Sequence, residues 1–205
     1  TLGHLVERIL RAVPSLPRLR LSSVDGVEID DRLFDLLTGE ERMMPHVHLS
    51  LQSGDNLILK RMKRRHSREQ AIDLVARLQD RRPAIAIGAD IIAGFPTEED
   101  AAFEYSMRMV AEAHIVHGHI FPYSERNGTP AARMPQVAPQ VRKERAARLR
   151  AAVAQEKARW QVSLVGSEQN LLIERDCQSG HAENFAHIRL ETKATAGQIA
   201  RVRIS

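Results

Sequence analysis

Residues able to hold a polar ligand stand at the ends of several apolar stretches. In Pro45–Gly54, PHVHLSLQSG, Val47, Leu49 and Leu51 alternate with His48, Ser50 and Gln52, the period-2 pattern of a strand with two unlike faces. Gln52, Ser53 and Gly54 follow at its end. A neutral amide, a hydroxyl and a glycine that admits close backbone approach are well placed to hold a polar ligand. Ser22, Ser23 and Asp25 close a shorter stretch, and Tyr123, Ser124 and Arg126 close a later one. In parallel sheets ligand chemistry collects at carboxyl ends of strands, because the loops there converge on one mouth. A plain strand-to-helix turn uses the same residue types, so for any one segment taken alone both readings stand.

The elements that must position these residues read as follows. Leu2, Leu5, Val6, Ile9, Leu10 and Val13 have helical spacing, and Pro14 stops that helix. The chain thus opens inside a helix without an initiating Met, which suggests a piece of something longer. Leu19–Val24 is expected to be a short strand, and Asp30 to cap a helix through about Leu37. Asp55 is expected to begin a helix broken near His66 and Ser67, resuming over Arg68–Leu78. AIAIGADIIAGF, Ala84–Phe95, is a near-continuous apolar run suited to a strand buried on both faces. Thr97, followed by three acids, is the expected N-cap of a helix to about Ala113. Ile115–Tyr123 is a fourth strand. Four strand-then-helix units predict an α/β fold with a parallel sheet and right-handed crossovers. A Pro- and Gly-containing loop, Ser124–Pro139, leads to a basic helix over Val141–Trp160. From Val162 the short runs VSLVG, NLLIE, FAHIRL and ARVRIS predict a separate small antiparallel barrel.

With 43% hydrophobic and 27% charged residues the chain has the composition of an ordinary globular protein, and no apolar run approaches the ~20 residues needed to span a bilayer. A cytoplasmic protein without membrane contact is the expectation. Cys177 is the single cysteine, so neither an internal disulfide nor a cysteine-ligated cluster can be built from these residues. The net charge is only +4, but Lys60, Arg61, Lys63, Arg64 and Arg65 cluster, as do Arg142, Lys143, Arg145, Arg148, Arg150, Lys157 and Arg159. Such clusters suit a polyanion partner, since each neutralised phosphate releases counterions; a solvated helix face is the competing reading. Aromatic residues at 4% do not advertise base stacking. His46, His48, His114, His117 and His119 are read as strand histidines, because no carboxylate or third ligand accompanies them at a metal-site spacing.

HVHLSLQSGDNLILKRMKRRHS, IGADIIAGFPTEEDAAFE and HIFPYSERNGTPAARMPQV resemble consecutive late barrel strands of the radical S-adenosylmethionine methylthiotransferases. VSLVGSEQNLLIERD to GHAENFAHIRL resembles the small RNA-binding TRAM barrel that ends those enzymes. RLRLSSVD, FPYS and GTPAARMPQV are most similar to the branch acting on N6-threonylcarbamoyladenosine at position 37 of tRNA. Branches acting on isopentenyl-adenosine in tRNA or on a ribosomal-protein aspartate are the alternatives.

The resemblance implies residues 1–138 as the late half of a (β/α)6 partial barrel, 139–160 as a linker helix and 161–205 as a TRAM-like barrel. It implies S-adenosylmethionine, two 4Fe–4S clusters, an electron donor and tRNA as cofactors and partners. In the family a cluster on a CxxxCxxC loop splits S-adenosylmethionine, and the resulting radical prepares a C–H bond for methylthio insertion. This chain has no CxxxCxxC, so the cluster sites are expected upstream of Thr1, and the piece alone is expected to be inactive. A barrel begun at its third strand is also expected to expose an apolar edge and to self-associate. By position, the resemblance implies cofactor contacts at Ser23, Gln52, Ser53, Gly88, Ile92, Gly94, Tyr123 and Ser124. It implies RNA contacts at Lys63, Arg64, Arg65, Arg126, Arg142, Arg145, Arg189 and Arg201. Where the family commonly reads SPRPGTP, this chain has Ser124-Glu125-Arg126-Asn127-Gly128, which retains Arg126. Two rival readings are a non-catalytic RNA-binding module and an unrelated β/α-barrel aldolase or isomerase; the latter needs a strand-end Lys or Glu–His pair, which is not found.

Overall fold

The structure is a computed structural model describing residues 1–205. Three strands, β1 (His46–Gln52), β2 (Ala86–Ala93) and β3 (Ile115–Pro122), form a parallel sheet in sequence order. Helices α1 (Leu2–Ala12) and α2 (Asp31–Gly39) precede it. Between β1 and β2 run α3 (Asn56–Arg61) and α4 (Arg68–Arg81), and α5 (Asp100–Glu112) joins β2 to β3. Asp55 caps α3 through Ile58 N–H, and a Ser67–Gln70 capping box starts α4, so the expected break at His66–Ser67 is present and has a local cause.

One sheet face is apolar. Val47, Leu49 and Leu51 join Ile87, Ala89, Ile91 and Ala93 in a core of 26 buried residues beneath the helices. Strand alternation sends His46, His48 and Ser50, then Gly88, Asp90 and Ile92, then His117, His119 and Phe121 to the other face. We call this the open face.

Helix α6 (Pro139–Leu164) lies along β3 and α5. Its buried stripe is Arg145, Ala146, Leu149 and Val153, and Val153 seats against Gly118, where any side chain would collide with its methyl groups. The helix then passes to a second, antiparallel sheet ordered β6-β5-β4-β7, made of β4 (Glu168–Ile173), β5 (Ser179–Ala182), β6 (His187–Arg189) and β7 (Ile199–Arg203). Only four apolar residues, Leu171, Ile173, Ala182 and Ala186, form that sheet's buried core, and Trp160 and Leu164 of α6 pack against them. So small a core relies on the helix for cover.

Three expectations are corrected. Leu19–Val24 is not a continuous strand. It touches its neighbours at two isolated bridges, Leu19 to Met43 and Val24 to Leu49. Five residues separate the bridges on one side and six on the other, and that one-residue offset breaks the ladder. The parallel sheet therefore has three strands, with Val24 making two hydrogen bonds at the outer edge of β1. Thr97 is not a cap: its φ is +67°, it sits in the turn, and α5 begins after Glu99. VSLVG is not a strand either, because α6 continues through Leu164; β5, whose small polar residues gave no strand signal, takes the vacant place in the sheet.

Candidate functional site

The carboxyl ends of the three strands meet at one rim of the open face. β1 ends in an irregular pairing after Leu49, which leaves Gln52 half-buried at φ +67°. Ser53 is buried and its Oγ accepts the Asp55 N–H at 3.2 Å, so the hydroxyl closes its own turn. β2 leads to Gly94 at φ +73°, where a Cβ would sit 2.6 Å from Arg142 Cγ. Both the backbone and its neighbour require glycine there. Tyr123 lies across the rim, edge-on to Phe95 and beneath the Arg142 guanidinium, with a buried hydroxyl that has no partner. Ile92 is half-buried just below, and Ser124 and Arg126 are exposed on the following loop.

A buried ion pair holds this rim. Glu98 Oε1 accepts from Gly94 N–H and Arg145 Nη1, each at 2.9 Å, while Arg145 Nη2 reaches Asp100 at 2.6 Å. Burial pushes the Glu98 carboxyl above its usual range, opposed by those donors. Arg145 is thus enclosed, and its expected RNA contact is corrected: the guanidinium is spent on two carboxylates. Arg142 likewise donates to the Val137 and Tyr123 carbonyls and to Gln136. Arg64 donates to the Ser50 carbonyl and pairs with Asp25. All three act as struts. Lys63, Arg126 and Arg189 are exposed; Arg65 reaches Asp25 and Glu28 from the surface, and Arg201 pairs with Glu168 on the outer sheet.

One layer below the rim, three side chains converge that the sequence left apart. Asp90 Oδ1 lies 3.0 Å from His48 Nε2 and 3.2 Å from His119 Nδ1. Ser23 Oγ donates to the other oxygen at 3.4 Å. Ser23 therefore belongs to this cluster. Gly88 also lies here, away from the rim, and a Cβ on it would be 2.3 Å from His48 Nδ1. Its role is to admit the imidazole. One ligand atom from each of His48, Asp90 and His119 falls within 4.8 Å of the others, so the set has the geometry of a two-His-one-carboxylate metal site as well as that of a hydrogen-bonded cluster. The reading of these as plain strand histidines missed the carboxylate because it arrives from the neighbouring strand. The available signal was a lone acid inside an apolar run, flanked by two His-x-His strands.

At the amino end the same face is covered. Phe185, in the turn after β5, lies 4.9 Å from the His46 ring and 5.4 Å from that of His117, and Trp160 meets His117 at 5.2 Å. Arg20 lies over Phe185 and donates to the Ala182 and Glu183 carbonyls. Burial, then the Arg20 charge, lowers the His46 pKa to about 3; burial, then Lys157, lowers that of His117 to about 4. Both rings are neutral packing groups near neutral pH.

The chain belongs to the radical SAM superfamily, which residues 3–110 match. It is 47% identical over 204 residues to the threonylcarbamoyladenosine tRNA methylthiotransferase MtaB of Rickettsia prowazekii (strain Madrid E), covering 100% of this chain and 48% of that relative. It is 36% identical over 203 residues to the tRNA-2-methylthio-N(6)-dimethylallyladenosine synthase of Agrobacterium fabrum, covering 96% and 45%. The likewise-named Orientia tsutsugamushi (strain Ikeda) protein is 36% identical over 176 residues, covering 86% and 39%. The chain thus spans about half the length of these curated relatives. Among solved structures it superposes on Escherichia coli coproporphyrinogen III oxidase (HemN), a radical SAM enzyme, with a TM-score of 0.55 at 16% identity, over 84% of this chain and 38% of that one. That likeness is one of fold. No helix is long and apolar enough to cross a membrane.

Proposed function

We propose that this chain is part of a radical SAM tRNA methylthiotransferase that places a methylthio group at C2 of N6-threonylcarbamoyladenosine, position 37 of tRNA. The observation that carries the reading is the 47% identity along the whole chain to a relative named for that substrate, against 36% for relatives named for dimethylallyladenosine. Residues 1–138 are read as the late half of a partial barrel, 139–160 as linker and 161–205 as a TRAM-like RNA-binding unit.

The rim residues fit S-adenosylmethionine. Gln52 offers a neutral amide, Ile92 and Gly94 an apolar step with open backbone, and the partnerless Tyr123 hydroxyl a donor. When bound, S-adenosylmethionine supplies the radical chemistry; these residues orient it and narrow the access of water. The 205 residues do not fit an iron–sulfur cluster, since Cys177 is the one thiol and belongs to the outer sheet's turn. The clusters, and the electron donor that serves them, therefore depend on protein outside these residues. These residues alone are read as inactive, and the intact enzyme as cytoplasmic. For tRNA, the surface cations are Lys63, Arg65, Arg126, Arg189, Arg201 and Arg203, of which Arg65 and Arg201 are held in exposed ion pairs, whereas Arg64, Arg142 and Arg145 are committed as struts.

The test is mass spectrometry of tRNA nucleosides from cells lacking the gene. Loss of 2-methylthio-N6-threonylcarbamoyladenosine with accumulation of its unmethylthiolated precursor is expected. Loss of the methylthio group from the isopentenyl derivative instead would move the protein to the neighbouring branch, and no change in either would overturn a tRNA substrate.

A further inference from the structure

Beyond the Asp90 cluster the open face runs into a cleft of about 310 Å³ between β3 and α6. His117 and His119 line it from the strand, Arg150 and Lys157 from the helix, and Phe185 from the outer sheet. No carboxylate lines it. Arg148 and Arg159 on the same helix pair with Glu104 and Glu156, whereas Arg150 donates only to the Ile120 carbonyl, at 2.9 Å, and Lys157 has no acidic partner. Uncompensated cations in a concave site attract anions.

The neighbouring cluster fixes how His119 meets such a ligand. An ionised carboxylate only accepts hydrogen bonds, so Asp90 places the proton of His48 on Nε2 and that of His119 on Nδ1. His119 Nε2, on a side chain 65% exposed, is left as an acceptor for a ligand's donor. The cleft is lined by the amino-end half of β3, Val116–His119, and by Phe185, below the rim. A substituent that projects from a base can enter such a place; a backbone phosphate is better met on the outer surface.

Resting on the reading of the chain as a tRNA methylthiotransferase, we infer that this cleft takes the N6-threonylcarbamoyl group, with Lys157 and Arg150 supplying charge to its carboxylate and His119 Nε2 accepting a hydrogen bond from its hydroxyl. It thereby selects adenosines bearing an anionic N6 substituent. A dimethylallyl group would leave the half-buried Lys157 ammonium covered and without a counter-charge, which is the stronger half of the discrimination.

The test uses the holoenzyme and anticodon stem–loop RNAs carrying threonylcarbamoyl-adenosine, isopentenyl-adenosine or plain adenosine at position 37. Wild type is expected to prefer the first by about tenfold, the scale of one charge-assisted contact. Lys157→Ala is expected to remove most of that preference, Lys157→Arg to restore it, and both to leave the affinity for plain RNA within about twofold. Equal weakening on all three RNAs would identify a phosphate contact and overturn the inference. So would a preference that survives Lys157→Ala and Arg150→Ala together. A wild type that prefers the isopentenyl RNA would defeat the inference and the branch assignment together, and one that binds none of the RNAs would defeat the proposed function itself.

Discussion

Four histidines stand in His-x-His pairs on two strands, and the two ends of the open face treat them oppositely. At the amino end His46, buried, and His117, half-buried, lie against Phe185 and Trp160 and are held neutral. One layer on, His48 and His119 share Asp90, and His119 reaches solvent. Identical residues at identical spacing become packing in one place and a polar site in the other. The difference is what lies opposite: an aromatic from another sheet, or a carboxylate from the next strand.

The largest test strikes the frame of the carboxyl end. Arg145→Ala leaves Glu98 buried and unpaired, and is expected to cost about 3–5 kcal/mol in urea denaturation. Arg145→Lys should recover only part of this, having lost the two-pronged contact with Glu98 and Asp100. Full recovery by lysine would mean that the geometry of the pair is unimportant to the rim.

A second test concerns the amino end. The folded state lowers the pKa of His46 to about 3, while the unfolded chain protonates it near pH 6.5. The unfolded state therefore binds the extra proton between those values, and stability falls as pH drops below about 6.5. By pH 4.5 the loss should be roughly 2 kcal/mol, and His46→Gln should flatten that part of the profile. An unchanged slope in the variant would show that water reaches His46 beneath Phe185.

The smallest effect on stability is expected where function is proposed. His119→Ala removes an exposed ring and should change the melting free energy by less than about 0.5 kcal/mol. Its effect should fall on RNA discrimination. A loss of several kcal/mol would instead make His119 structural and erase the contrast with His117.

Much of this architecture was legible in the chain itself. Alternation in HVHLSLQ, the apolar run through Ile87–Ala93 and the caps at Asp30, Asp55 and Ser67 are local signals, and the strands and helices follow them. The misreadings share a cause. Leu19–Val24 has a strand's composition, but whether a ladder forms depends on register with a segment 24 or 25 residues away. VSLVG has β-branched residues, yet the helix before it continues because Leu164 is packed by the second sheet.

The basic residues make the same point more sharply. Arg64, Arg142 and Arg145 look no different in sequence from Lys63, Arg126 or Arg189, but folding brings carboxylates and carbonyls to the first three and leaves the others at the surface. Sequence by itself determined the period of each element, the single thiol, the excess of positive charge and the superfamily. Tertiary structure alone decided which cations remain free, which histidines are wet, and that Asp90 stands between two of them. Periodicity is written in neighbouring residues, whereas charge pairing and desolvation depend on groups that only folding brings within a few ångströms.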